Sequence, residues 1–151
     1  MQRISDALEL LTGQHQHIFD LVDGVRQASQ SERATAVSEL VDYVTAHLAV
    51  EQELFYPRLA SWISPSVHEE LLLEHGEIKR VLADLLWLES DDPEVDRRLA
   101  SLVELLSGHA MWQDEELFTA VAEGMPAEVL AALGAHIHAH FDSLHDVPRA
   151  A

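Results

Sequence analysis

A chain of 151 residues, nearly half of them apolar, is long enough to enclose one core as a single domain. Its formal charge of −18, from 27 acids against 9 bases, repels phosphate backbones and argues against a nucleic-acid partner. No apolar run reaches the roughly 18 residues of a membrane span, and the absence of cysteine excludes disulfides and thiolate metal sites.

The N-terminal MQRISDALELL has no basic region, apolar stretch and small-residue cleavage site in succession. No signal peptide is expected, and a cytoplasmic location is inferred. The first helix shows Leu8, Leu11, His15, Ile18, Val22 and Val25 at spacings of three and four. The second continues the pattern through Val37, Leu40, Val44, His47, Glu51 and Leu54, with Ser31 as its expected cap. Leu71, His75, Ile78, Leu82 and Leu85 mark the third, and Leu99, Leu102, Leu106, His109 and Gln113 the fourth. Each series is one stripe on one helix face. Ser64-Pro65 and Asp92-Pro93 place a capping side chain before a proline at a first helical position. Gly124 and Pro126 end the fourth helix, and Val129, Leu133 and Ile137 mark a short fifth that stops before Pro148. The expected fold is all-α. It is an up-down-up-down four-helix bundle over about residues 5–123, followed by a fifth helix over about 126–145.

Every long stripe contains one histidine. In antiparallel helices, residues equidistant from a turn lie at one height, because the rise per residue is constant. The midpoint of 15 and 47 is 31, at the first turn; that of 47 and 75 is 61, in ASWISP; that of 75 and 109 is 92. His15, His47, His75 and His109 therefore share a level and an interior, with Glu51 one turn from His47 on the same face. A buried carboxylate or charged imidazole without a partner is costly. A cation that needs carboxylate and neutral imidazole relieves both, and this donor set suits iron, manganese, zinc or copper.

The second half of the chain repeats the first. HLAVEQELFYP from His47 matches HAMWQDEELFT from His109, with Tyr56 and Phe118 at equal offsets. The repeat breaks where Gln113 stands in the place of Glu51. Seam geometry points Gln113 inward, but an amide is a poor ligand; Asp114 beside it is the better donor, which a local bulge would aim inward. The expected metal set is His15, His47, Glu51, His75, His109 and Asp114. Gln113, Tyr43, Lys79 and Glu77 are further residues expected near it.

On His15, the His47 and Glu51 pair followed by Leu54-Phe55-Tyr56-Pro57, His75, and His109 with Asp114 and Leu117-Phe118, the sequence resembles the hemerythrin-like, HHE cation-binding family. The resemblance implies a bundle around two iron ions, an oxo- or hydroxo-bridged non-haem di-iron centre also bridged by carboxylates. It further implies binding of dioxygen, nitric oxide or peroxide in sensing, scavenging or iron and redox handling. One departure stands out. Oxygen-carrying members have a second histidine one turn after the third-helix histidine, where this chain has Lys79, its single lysine. Water, substrate or Tyr43 is then left to fill that place. His17 reads as a surface residue, His68 begins the third helix well above the metal level, and the tail histidines in AHIHAHFDSLH read as a solvated helix.

Three functions are consistent with this pattern. The first is binding of a small diatomic or peroxide ligand at an open iron position. The second is a di-iron enzyme that decomposes peroxide or oxidises ferrous iron, with Lys79, Tyr43 or Glu77 as acid-base group. The third is a metal-responsive module that binds a partner protein.

Overall fold

The structure, a computed structural model, describes residues 6–145. The MQRISDALELL segment lies partly, and the expected bundle start at residue 5 and Pro148 lie wholly, outside the described residues. Among the described residues the chain is helical, with no strand. Helices α1 (Ala7–Gln27), α2 (Gln30–Val50), α3 (Pro65–Trp87) and α4 (Glu94–Trp112) form the bundle. Each touches its two neighbours in the order α1, α2, α3, α4 and back to α1. This is the expected up-down-up-down arrangement.

The helix starts follow local chemistry. Asp6 accepts a hydrogen bond from the Glu9 amide at 2.9 Å, and Ser64 accepts one from Val67 at 3.2 Å, with Pro65 in the first turn. Asp92 accepts from the Glu94 amide at 2.9 Å, so α4 begins one residue after Pro93. The second helix starts earlier than expected. Ser29, not Ser31, holds the cap position, without a side-chain hydrogen bond to the helix.

Both α2 and α4 run into a five-residue π-turn, Glu51–Phe55 and Gln113–Leu117. The amide of Tyr56 bonds to the carbonyl of Glu51, and that of Phe118 to Gln113. The extra residue per turn rotates everything beyond it. Phe55 and Tyr56 are consequently buried, whereas Leu54, expected on the seam, is only half-buried. After its π-turn the fourth helix continues as α5 (Phe118–Gly124). Gly124 lies flat against Trp62; a Cβ there would meet the indole at 3.0 Å.

The fifth helix of the sequence reading is α6 (Ala127–His145), at 19 residues as long as α4 and not short. It lies across α1 and α2, burying Leu130, Leu133, Ile137 and Phe141. The core falls into two apolar clusters. One holds Leu11, Phe55, Tyr56, Leu59, Phe118, Val121 and the α6 residues. The other holds Ile18, Val22, Leu40, Val44, Ile78, Leu82, Leu99 and Leu106. A buried polar layer of His15, His47, Glu51, His75, His109 and Gln113 lies on the same stripes as both clusters.

Candidate metal centre

The four seam histidines meet as the midpoints require. Ring centroids are 4.8 Å apart for His15 and His47, 5.5 Å for His15 and His109, 5.9 Å for His47 and His109, and 5.5 Å for His75 and His109. Glu51 sits among them, fully buried. Its Oε1 is 3.1 Å from His47 Nε2, 3.4 Å from His75 Nε2 and 3.0 Å from His109 Nε2. Donor atoms of His15, His47, Glu51 and His109 all lie within 4.8 Å of one another.

Each imidazole is held from behind. His15 Nδ1 donates to Asp114 Oδ1 at 3.0 Å, and His47 Nδ1 to Gln14 Oε1 at 2.7 Å. His75 Nδ1 donates to Gln52 Oε1 at 3.1 Å, and His109 Nδ1 to Glu74 Oε1 at 2.5 Å. A proton fixed on Nδ1 leaves the Nε2 lone pair for the interior, the arrangement that orients imidazole toward a metal. The interior is short of partners: His15 Nε2, His47 Nε2, Glu51 Oε2 and Gln113 Oε1 are buried and make no hydrogen bond. Each such atom costs about 1–3 kcal/mol. A cation satisfies the imidazole nitrogens and the carboxylate together, so the residues present fit a metal.

The protonation pattern agrees. Burial pushes His15 down to about 4, with the neighbouring His47 adding to the effect, and burial also lowers His75. His109 is the exception. Burial would lower it, but Glu51 on one nitrogen and Glu74 on the other raise it to about 10. Burial alone would raise Glu51, yet His109 and His47 hold it well below the usual carboxylate range. With a carboxylate oxygen on each ring nitrogen, at 2.5 and 3.0 Å, His109 is the histidine of the layer that favours the imidazolium form.

Two expectations are corrected. Asp114 does not enter the layer: its carboxylate, 31% exposed, accepts from His15 Nδ1 and from Thr12 Oγ1 at 3.1 Å. Gln113 is the residue inside, at 0% exposure. The bulge exists, but it begins at Gln113, whose amide still reaches the carbonyls of His109 and Ala110. Gln113 thus keeps its α-helical phase with His109, and only the residues beyond it are rotated.

The tyrosine at the layer is Tyr56, not Tyr43. Tyr43 lies half-buried against His17, Phe141 and His145, with centroids at 4.6, 4.9 and 5.7 Å. Tyr56 donates its hydroxyl to His75 Nε2 at 3.1 Å and accepts from Gln113 Nε2 at 2.8 Å. Burial, with Glu51 and Glu74 nearby, holds its phenol well above its ordinary value. The equal offset of Tyr56 and Phe118 from the two motif histidines was the sequence signal for it. Lys79 is exposed and reaches Gln52 Oε1 at 3.1 Å, one hydrogen bond away from His75. Glu77 is exposed. None of the α6 histidines reaches the layer: His140 pairs with Glu53 at 2.5 Å, and His138 lies 3.3 Å from Asp142.

A cavity of about 250 Å³ is lined by Tyr56, Ala60, Ile63, Ser64 and His68. A larger groove of about 550 Å³ runs along Asp20, Gly24, Gln27 and Glu39, and no residue of the layer lines it.

Comparison with known proteins gives three similarities. The chain is 29% identical over 85 residues to a DNA nickase from Nostoc sp.; the match covers 56% of this chain and 24% of that protein, so the chain spans about a quarter of that relative's length. The crystal structure of a hemerythrin HHE cation binding domain-containing protein from Mycobacterium kansasii, an Rv2633c homolog, superposes with a TM-score of 0.81. It is 23% identical, and the match covers 94% of this chain and 88% of that one, a likeness of fold. The model of the hemerythrin HHE cation binding domain matches residues 6–121, which include every residue of the buried layer. The chain belongs to the hemerythrin HHE cation-binding family.

Proposed function

We propose that the layer holds a non-haem di-iron centre and binds dioxygen, nitric oxide or peroxide at an open iron position, in sensing, scavenging or iron and redox handling. The observation that carries this reading is the convergence of Nε2 atoms with both Nδ1 protons and apolar walls already in place. His15, His47, Glu51, His75 and His109 would hold the metal, with Tyr56 supplying a further oxygen donor at the His75 side. Iron bound there supplies one-electron redox chemistry and an exchangeable coordination position.

The protein's own residues do the rest. Ile18, Val44, Ile78 and Leu106, all buried, exclude water on one side. Phe55, Phe118 and Leu11 close the other side. Gln113 orients the Tyr56 hydroxyl by donating to its oxygen.

The second reading is an enzyme on the same centre, decomposing peroxide or oxidising ferrous iron. Tyr56 favours it, because a proton-bearing oxygen within the layer is what proton transfer to a reduced oxygen species requires. Among the described residues Lys79, Tyr43 and Glu77 stand outside the layer and do not offer this.

The net charge of −18 opposes contact with a nucleic-acid backbone, and we carry no nicking activity over from the Nostoc relative. The test of the main reading is the absorption spectrum of the reduced, iron-loaded protein before and after oxygen, nitric oxide or peroxide. New charge-transfer bands on addition support ligand binding, and steady peroxide loss without a stable new spectrum supports the enzyme. A spectrum that none of the three changes contradicts both.

A further inference from the structure

The supports behind the four imidazoles form a closed ring that runs one way round the bundle. Gln14 of α1 holds His47 of α2, and Gln52, just after α2, holds His75 of α3. Glu74 of α3 holds His109 of α4, and Asp114, just after α4, holds His15 of α1. Each support is the chain neighbour of its own helix's interior residue: Gln14 precedes His15, Glu74 precedes His75, Gln52 follows Glu51 and Asp114 follows Gln113.

The ring obeys the internal repeat, which pairs Gln14 with Glu74 and Gln52 with Asp114. What the repeat exchanges is charge. In the first half the interior residue is the carboxylate Glu51, and both supports are amides. In the second half the interior residue is the amide Gln113, and both supports are carboxylates. Lys79 sharpens the contrast, since its ammonium donates to the same Gln52 oxygen that supports His75.

An imidazole whose Nδ1–H is held by a carboxylate is a stronger donor at Nε2 than one held by an amide. We infer that Glu74 and Asp114 are positioning residues that restore, through His109 and His15, the negative charge that Gln113 leaves out of the layer, and that they thereby set the affinity and reduction potential of the bound metal. This inference rests on the metal-centre reading above. It makes His15 and His109 the strong donors of the set and His47 and His75 the weak ones.

The experiment compares the full-length iron-loaded wild type with Glu74→Gln, Asp114→Asn, the double variant, and the double variant carrying Gln113→Glu. Midpoint potentials are read by spectroelectrochemistry. Each single change is expected to raise the potential; a tenfold loss of preference for the oxidised metal corresponds to about 59 mV for a one-electron couple. Gln113→Glu in the double variant is expected to bring the potential back toward wild type, which a merely structural role for Glu74 and Asp114 does not predict. Should the variants fold but not retain iron, zinc titration of the metal-free proteins replaces the potential. A loss of about 10–100-fold in affinity that Gln113→Glu restores supports the inference, and a loss it does not restore overturns it. Unchanged potentials in iron-loaded single and double variants also overturn it while leaving the metal centre standing. A wild type that takes up no metal overturns both.

Discussion

Helices α2 and α4 carry the same motif, the same π-turn at the same distance from the motif histidine, and the same burial of the residue one turn on. They differ in where the negative charge is. The pair Glu51-Gln52 puts the carboxylate inside and the amide behind the next histidine; Gln113-Asp114 does the reverse. One backbone device thus serves two electrostatic roles. A position at the start of a π-turn stays in α-helical phase with the residue four before it, so side-chain identity alone decides what faces the interior of the layer.

The largest expected effect separates the two motifs directly. Glu51→Ala removes one of the two carboxylates paired with the buried His109 and leaves it only the partly exposed Glu74, and breaking such a buried pair costs about 3–5 kcal/mol. Metal content should fall to near zero, and the metal-free protein should melt well below wild type. Gln113→Met at the equivalent position removes one hydrogen bond to Tyr56, costs about 1 kcal/mol and leaves metal content intact. Equal losses from both substitutions, read by metal analysis and thermal melts, would show that the two helices are not electrostatically distinct.

The next comparison is between the two tyrosines. Tyr56→Phe strips the hydroxyl that pairs with His75 and Gln113, at about 1–3 kcal/mol, and changes the absorption spectrum of the iron-loaded protein. Tyr43→Phe, outside the layer, leaves that spectrum as it is.

The histidines themselves differ in how they respond to pH. His15 is held near 4 and His75 is lowered, against an unfolded value of 6.5, so the unfolded chain binds more protons below pH 6.5. Stability of the metal-free protein should therefore fall as pH drops from 6.5 toward 4, with protonation of Glu51 adding to the loss further down. His109 works the other way. Raised to about 10, it stabilises the fold fully below pH 6.5, and this contribution is lost as pH rises through 10. Melts of chelator-treated protein should be highest near pH 6.5 and decline on both sides, and His109→Gln should flatten the alkaline decline. The smallest effect belongs to the exposed flank: Glu77→Gln should change stability by no more than about 0.5 kcal/mol, with metal content unaltered.

Much of this centre is legible in the chain. The stripes give the helices, and the midpoints 31, 61 and 92 place four histidines at one level, where the ring centroids put them. What escaped was whatever the π-turns control. An α-helical period places Tyr56, nine residues after His47, on the opposite face, and it takes the inserted residue to bring it round to His75. The same period pointed to Tyr43 as a near-site residue, although one turn back from His47 is far enough off the seam for it to rest against α6. From the sequence, Asp114 is the expected ligand because carboxylates bind metals better than amides. The structure gives the interior to Gln113 because its place on the helix is fixed before the bulge begins. The outer acceptors Gln14, Gln52 and Glu74 carry no periodic signal, since each depends on the packing of a different helix.

As proposed, the layer would hold a pair of iron ions, and their binding would displace the proton on His109. Anaerobic titration of the metal-free protein with ferrous iron, followed by calorimetry at pH 7 in buffers of different ionisation enthalpy, tests it most directly. The account predicts saturation at about two irons per chain with net proton release on binding. Saturation at one ion, or no uptake at all, would contradict it.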